Sequence, residues 1–158
     1  MSRAFVKESD DAGEPLPELA ISPHPNFVTP DGLQLVEARI DALEAELKAA
    51  RVADDKALLA RVNRDLRYWT QRRATARVVP PIRQPDSVRF GVIVSLRFAD
   101  DGSCSRFTIV GEDEADPARG LVSFVSPLAK ALLGKRVGDE VRALERGAEI
   151  VALESRAS

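Results

Sequence analysis

The chain has 158 residues, 30% of them charged, with a formal net charge of −2, one histidine and one cysteine. That length allows one full domain or a small domain with an extension, and the acidic balance excludes bulk basicity as a route to nucleic acid. The lone Cys104 excludes an intrachain disulfide and a cysteine metal cluster, and no apolar run approaches the roughly 18 residues of a membrane span, so a soluble, cytoplasmic protein is expected.

Residues 1–26 are acidic and proline-rich (Pro15, Pro17, Pro23, Pro25), with too few large apolar groups to repay the entropy of ordering. They are expected to form a mobile tail. At Thr29 the pattern changes. Thr29, Pro30 and Asp31 supply a helix N-cap, a proline at the first helical position and an acid in the first turn. Leu33, Val36, Ile40, Leu43 and Leu47 then recur at spacings of three and four, and Leu59, Val62, Leu66 and Trp69 repeat that spacing after Asp55. No folded module fits between the two runs. The spacing therefore predicts an antiparallel helical hairpin over 27–79, turning near Val52–Asp55, with arms of about 22 residues that each span roughly 33 Å. Residues 30–50 carry five acids against Arg39 and Lys48, whereas 51–77 carry eight Lys or Arg against three Asp. Cross-helix pairs of this kind set register while each contributes only about 0–1 kcal/mol.

Pro80 and Pro81 end the second helix, and 80–86 reads as a short, stiff linker. From 87 to 158 the period becomes that of strands. VRFGVIVSLRF (88–98), the turn DDG (100–102) and RFTIV (106–110) predict a hairpin. GEDEADPARG (111–120) reads as a solvated acidic loop and LVSFV (121–125) as a third strand. Ser126 and Pro127 open a short helix that Gly134 closes, and Val137–Leu144 and Ala148–Leu153 complete the sheet around Gly147. The fold class is α+β: a helical hairpin followed by a small domain of antiparallel sheet with one helix.

No self-contained enzyme is visible. His24 lies between two prolines with no ligand set or triad partner, Cys104 has no basic group at a motif spacing, and the lone glycines form no phosphate loop. Two features stand out. Arg61, Arg64, Arg67, Arg72, Arg73 and Arg77 make the second helix basic, either as a solvated face paired with helix one or as a phosphate-contacting surface. Tyr68 and Trp69 lie among them, with Trp69 on the apolar seam. Asp54 and Asp55 occupy the hairpin tip, where they are good turn and cap residues and equally a pair of hard oxygen donors.

FTIVGEDEADPARGLVSFVSPLAKALLGKRVGDEV (107–141) resembles the bacterial transcript-cleavage factors of the GreA/GreB family. The likeness rests on Ile109-Val110-Gly111 before Asp113-Glu114, on Ser126 to Leu133, and on Val137-Gly138-Asp139. NFVTPDGLQLV (26–36) is similar to the family's opening of helix one, and RDLRYWTQ (64–71) to the GreB form of the end of helix two. The resemblance implies an FKBP-like C-terminal domain without implying isomerase activity. It implies docking at the rim of the secondary channel of RNA polymerase through Val125, Ser126, Pro127 and Leu128, with the hairpin entering the channel. It also implies that Arg61, Arg64, Arg67 and Arg72 contact nascent RNA, and that Asp54 and Asp55 assist the magnesium of the polymerase, which supplies the catalytic core. No stably bound cofactor and a monomeric state are expected.

The tip, VADDKALLARVN, lacks the family's acid followed by Glu-Asn-Ala and an aromatic, and the arms are several residues shorter. Stimulated RNA cleavage and non-cleaving occupancy of the channel, as in short-armed Rnk-type relatives, both follow from the resemblance. A coiled-coil adaptor for another protein and an FKBP-like prolyl isomerase are the readings from other classes.

Overall fold

A computed structural model describes residues 16–156. The greater part of the expected tail, 1–15, lies outside the described residues.

Strand β1 (Phe27–Val28) leads into helix α1 (Pro30–Ala53), and helix α2 (Lys56–Thr75) leads out into β2 (Arg77–Val78). Thr29 caps α1 through its Oγ1, which accepts from the N–H of Gly32 at 2.9 Å. Val36, Ile40 and Leu43 are buried on one face of α1 and Val62 on the facing side of α2, as the spacing of three and four requires. The hairpin turns on two residues. Asp54 closes α1 in the left-handed region at φ 50°, and Asp55 opens α2 with Oδ1 accepting from the Leu58 N–H at 3.1 Å. Glu46 pairs with Arg61 and Glu37 lies 3.9 Å from Arg73, so acidic α1 and basic α2 meet across the hairpin. β1 and β2 pair in parallel at the base, Phe27 with Arg77 and Val28 with Val78, tying the two arms together where they leave the coil.

The C-terminal domain is a five-stranded sheet of β3 (Val92–Phe98), β4 (Cys104–Val110), β5 (Leu121–Ser123), β6 (Glu140–Ala143) and β7 (Arg146–Ser155), in the order β5-β4-β3-β7-β6. Alternate residues of β3 (Val92, Val94, Leu96, Phe98) face the core, the period-two pattern of a sheet with one covered side. Helix α3 (Pro127–Leu132), capped by Ser126, lays Ala129 and Leu132 onto Ile109, Val122, Val141 and Ile150.

The sheet departs from the all-antiparallel expectation. β4 and β5 pair in parallel, Thr108 with Leu121 through Val110 with Ser123. The loop 111–120 is the cause: a 3-10 turn at Pro117–Arg119 and Gly120 at φ 72° bring the chain back alongside β4 in the same direction. The third strand also stops at Ser123: Phe124 still donates its N–H to the Val110 carbonyl at 2.9 Å, and the chain then turns at residues 124–125 towards α3. The β6–β7 hairpin turns on Leu144 and Glu145, both at positive φ (52° and 61°).

The stretch 16–26 has no regular element, yet it is tied to the body before residue 27. Ser22 donates to Glu112 at 3.0 Å, and buried Asn26 donates to the carbonyl of Arg72 at 2.7 Å. Polar contacts rather than apolar burial hold it, so composition does not reveal it. Among the described residues no helix is long and apolar enough to cross a membrane.

Candidate functional site

Three surfaces carry the residues singled out by sequence, and a fourth cluster joins them. At the tip, Asp54 and Asp55 are both exposed, with Val52 beside them 90% exposed. They are not equivalent. One oxygen of Asp55 is engaged by the Leu58 N–H, whereas the carboxylate of Asp54 makes no hydrogen bond among the described residues. Two adjacent aspartates supply at most three free hard oxygens to a magnesium held elsewhere. That is too few to hold the ion alone, and only Asp54 has its whole carboxylate free among the described residues. Among the described residues no group of three or more His, Cys, Asp or Glu is arranged to hold a metal.

On α2 the arginines separate. Arg61 pairs with Glu46 and lies 3.7 Å from Asp65, and Arg64 pairs with Asp65 at 3.0 Å. Arg67 makes a two-pronged contact with Glu18, at 3.0 and 2.6 Å, which lowers the Glu18 pKa and raises that of Arg67. The Arg61–Glu46 and Arg67–Glu18 pairs lie at the surface and are open to exchange for another anion, whereas Arg64 and Asp65 are both half-buried.

Arg72 is different. Its side chain is 2% exposed, so it is unavailable to RNA, and this corrects its place among the expected RNA contacts. It continues the face of Trp69 one helical turn on, but where the coil ends the face meets the acidic loop rather than α1. Nε of Arg72 donates to Asp113 Oδ2 at 2.5 Å and Nη2 to Asn26 Oδ1 at 2.8 Å. Tyr68 donates to the other oxygen of Asp113 at 2.6 Å. Burial foremost, then this hydrogen bond and the negative charge of Asp113, push the Tyr68 hydroxyl up to about 12.

The loop 111–114 is therefore no solvated acidic loop. Glu114 is buried, accepting from Thr29 Oγ1 at 2.6 Å and from Arg156 at 2.7 Å, while Arg156 also reaches Asp31 at 3.2 Å. Beside this polar set, Phe27 packs against Phe90 and Phe124 with ring centroids 5.6 to 6.1 Å apart. Gly111 lets the strand in: a Cβ there would stand 2.3 Å from the Phe27 carbonyl oxygen. Sequence reading named Tyr68, Asp113 and Glu114 without the cluster they form, and gave no role to Asn26 and Arg156. The spacing of Tyr68 and Arg72 by four was the one local sign of a shared ligand.

On the C-terminal domain, Val125, Ser126 and Leu128 are half-buried and Pro127 is exposed. Pro127 and Leu128 line a shallow groove completed by Arg142, Leu144 and Glu145, with Leu133 and Val137 also exposed. The tip, the basic face and this groove are three distinct surfaces, and the Arg72–Asp113 cluster lies where arm and domain meet.

A family model described as "Transcription elongation factor, GreA/GreB, C-term" matches residues 83–153. A GreB of Xanthomonas axonopodis pv. citri is 36% identical over 133 residues, covering 72% of this chain and 79% of that one. A GreA of Chloroflexus aggregans is 34% identical over 137 residues, covering 74% and 87%. A GreA of Desulfovibrio desulfuricans is 52% identical over 56 residues, and the chain spans 35% of the length of that relative. Among solved structures, a prokaryotic transcription elongation factor GreA/GreB from Nitrosomonas europaea aligns with a TM-score of 0.41 and 20% identity, covering 81% of this chain and 98% of that one.

Proposed function

The chain belongs to the GreA/GreB family of transcription elongation factors, and from that premise we propose that it binds RNA polymerase and regulates elongation by occupying the secondary channel without cleaving the transcript. The C-terminal groove around Ser126, Pro127 and Leu128 is the docking surface, and the hairpin is the part that enters. Arg61 and Arg67 face the nascent RNA by exchanging their surface carboxylate partners for phosphates, with the half-buried Arg64 adding its charge between them. The protein acts as a monomer and brings no cofactor of its own; the magnesium is that of the polymerase.

The observation that carries this reading is the tip: two aspartates, one already committed to capping α2. Arm length supports it. The GreB alignment runs over 133 residues yet takes up 72% of this chain, about 114 residues, so roughly 19 GreB positions have no counterpart here. The GreA alignment leaves roughly 20. If those positions fall equally in the two helices of the arm, about ten residues each withdraw the tip by roughly 15 Å. A magnesium ligand must stand at about 2.1 Å, which leaves no tolerance for such a shortfall.

Stalled, backtracked polymerase complexes test the proposal. Binding with slowed elongation and unchanged RNA length is expected. Shortened RNA, abolished by Asp54→Ala, would establish the second reading, cleavage assisted by the free carboxylate of Asp54. Absence of binding would return the chain to the adaptor class.

A further inference from the structure

The tip stands at the far end of α1 from the junction with the domain, so whatever it meets depends on the angle at which the hairpin leaves the domain. α1, with 24 residues, is a lever of about 36 Å, and a rotation of about 10° at its base moves the tip by about 6 Å. A greasy contact resists separation but is poor at fixing an angle, because apolar attraction has no direction. The junction has such a contact in Phe27, Phe90 and Phe124. It also has something an apolar joint would not need: an arginine 2% exposed, at a position one turn past the last seam residue.

We infer that Arg72, gripped between Asp113 of the docking domain and Asn26 of the segment preceding β1, is a positioning residue that sets the direction of the arm. The guanidinium is planar with its donors in a fixed fork, so bonds from Nε and Nη2 to two different segments define an orientation as well as a distance. Three segments meet on it. Asn26 accepts from Arg72 and returns a hydrogen bond to its carbonyl, Asp113 accepts from both Arg72 and Tyr68, and Ser22 holds Glu112. Glu112 Oε2, buried and without a hydrogen-bond partner among the described residues, stands 3.9 Å from Nη2 and adds a second negative charge facing the guanidinium. A buried ion pair of this kind is poor evidence for stability, since apolar residues of equal volume are often as good; its use here is orientation. The joint itself stands without reference to polymerase. Its consequence, aiming the tip into the channel, rests on the proposed function.

The chain carries its own reporter. Cys104 is the single cysteine and is exposed on the docking domain, and Val52→Cys adds a second label site at the exposed tip. With nitroxide labels at both, the full-length free protein should give one narrow distance distribution. Arg72→Met should broaden or shift it, by up to about 6 Å for each 10° released, a limit set by the lever length. Arg72→Lys should fail to restore it, because an ammonium keeps the charge and loses the fork. Asp113→Asn preserves shape and removes the facing charge, so it decides the matter if Arg72→Met does not fold. A narrow, unshifted distribution in folded Arg72→Met or Asp113→Asn overturns the inference, as does a broad distribution in the parent. On polymerase, the same variants should still bind through the domain but lose the effect on elongation. If the distances change as expected and the parent does not bind polymerase, the joint stands and the proposed function falls.

Discussion

Tyr68 is the single tyrosine of the chain, so its ionisation can be followed alone in the near-ultraviolet. In the folded protein its hydroxyl is raised from 10.0 to about 12, first by burial, then by the hydrogen bond to Asp113 and by the charge of that carboxylate, against a smaller opposing effect of Arg72. Asp113→Asn removes the charge of the carboxylate, weakens the hydrogen bond and leaves burial, so the midpoint should fall back toward 10 without reaching it. Absorbance read immediately after a pH jump separates ionisation in the folded state from unfolding, which returns the hydroxyl to its ordinary value. The sign for stability follows. The raised group is neutral in both states below pH 10, so its contribution is fully present there. It is lost as pH rises from 10 through about 12, because the unfolded chain has already released the proton. Tyr68→Phe should flatten that alkaline decline. A parent midpoint near 10, or one that Asp113→Asn leaves in place, would refute the contact between arm and loop.

The two tip aspartates should respond in opposite directions. Asp55→Ala loses the α2 cap and should cost about 1 kcal/mol in a denaturant titration, whereas Asp54→Gly relieves a left-handed residue and should gain up to about 1 kcal/mol; equal losses would contradict the assignment. Gly111→Ala drives a Cβ into the Phe27 carbonyl and should destabilise by about 1–3 kcal/mol, so an unchanged melting temperature would mean that β1 does not seat there. Replacing Leu144-Glu145 by Asn-Gly at the β6–β7 turn should raise the melting temperature by a gain of about 1 kcal/mol, since both residues sit at positive φ and Leu144 is 58% exposed. A lower melting temperature would mean that their side chains hold the turn.

The helices were legible in the sequence because their causes are local. Thr29-Pro30 opening α1, Asp55 opening α2 and Ser126-Pro127 opening α3 each satisfy N–H groups within a turn of themselves, and the seam of Val36, Ile40, Leu43 and Val62 needs only its own spacing. The family, too, was written in a contiguous string around Ser126. What sequence could not decide is which charges face water. Arg72 and Asp113 are 41 residues apart, and an arginine on a basic helix looks the same in sequence whether it meets solvent or a buried carboxylate. The direction of β5 beside β4 was hidden for the same reason, because it depends on how the loop 111–120 folds back. Periodicity and caps act over one helical turn, whereas burial of an ion pair and the sense of a strand depend on segments brought together only when the arm closes on its domain.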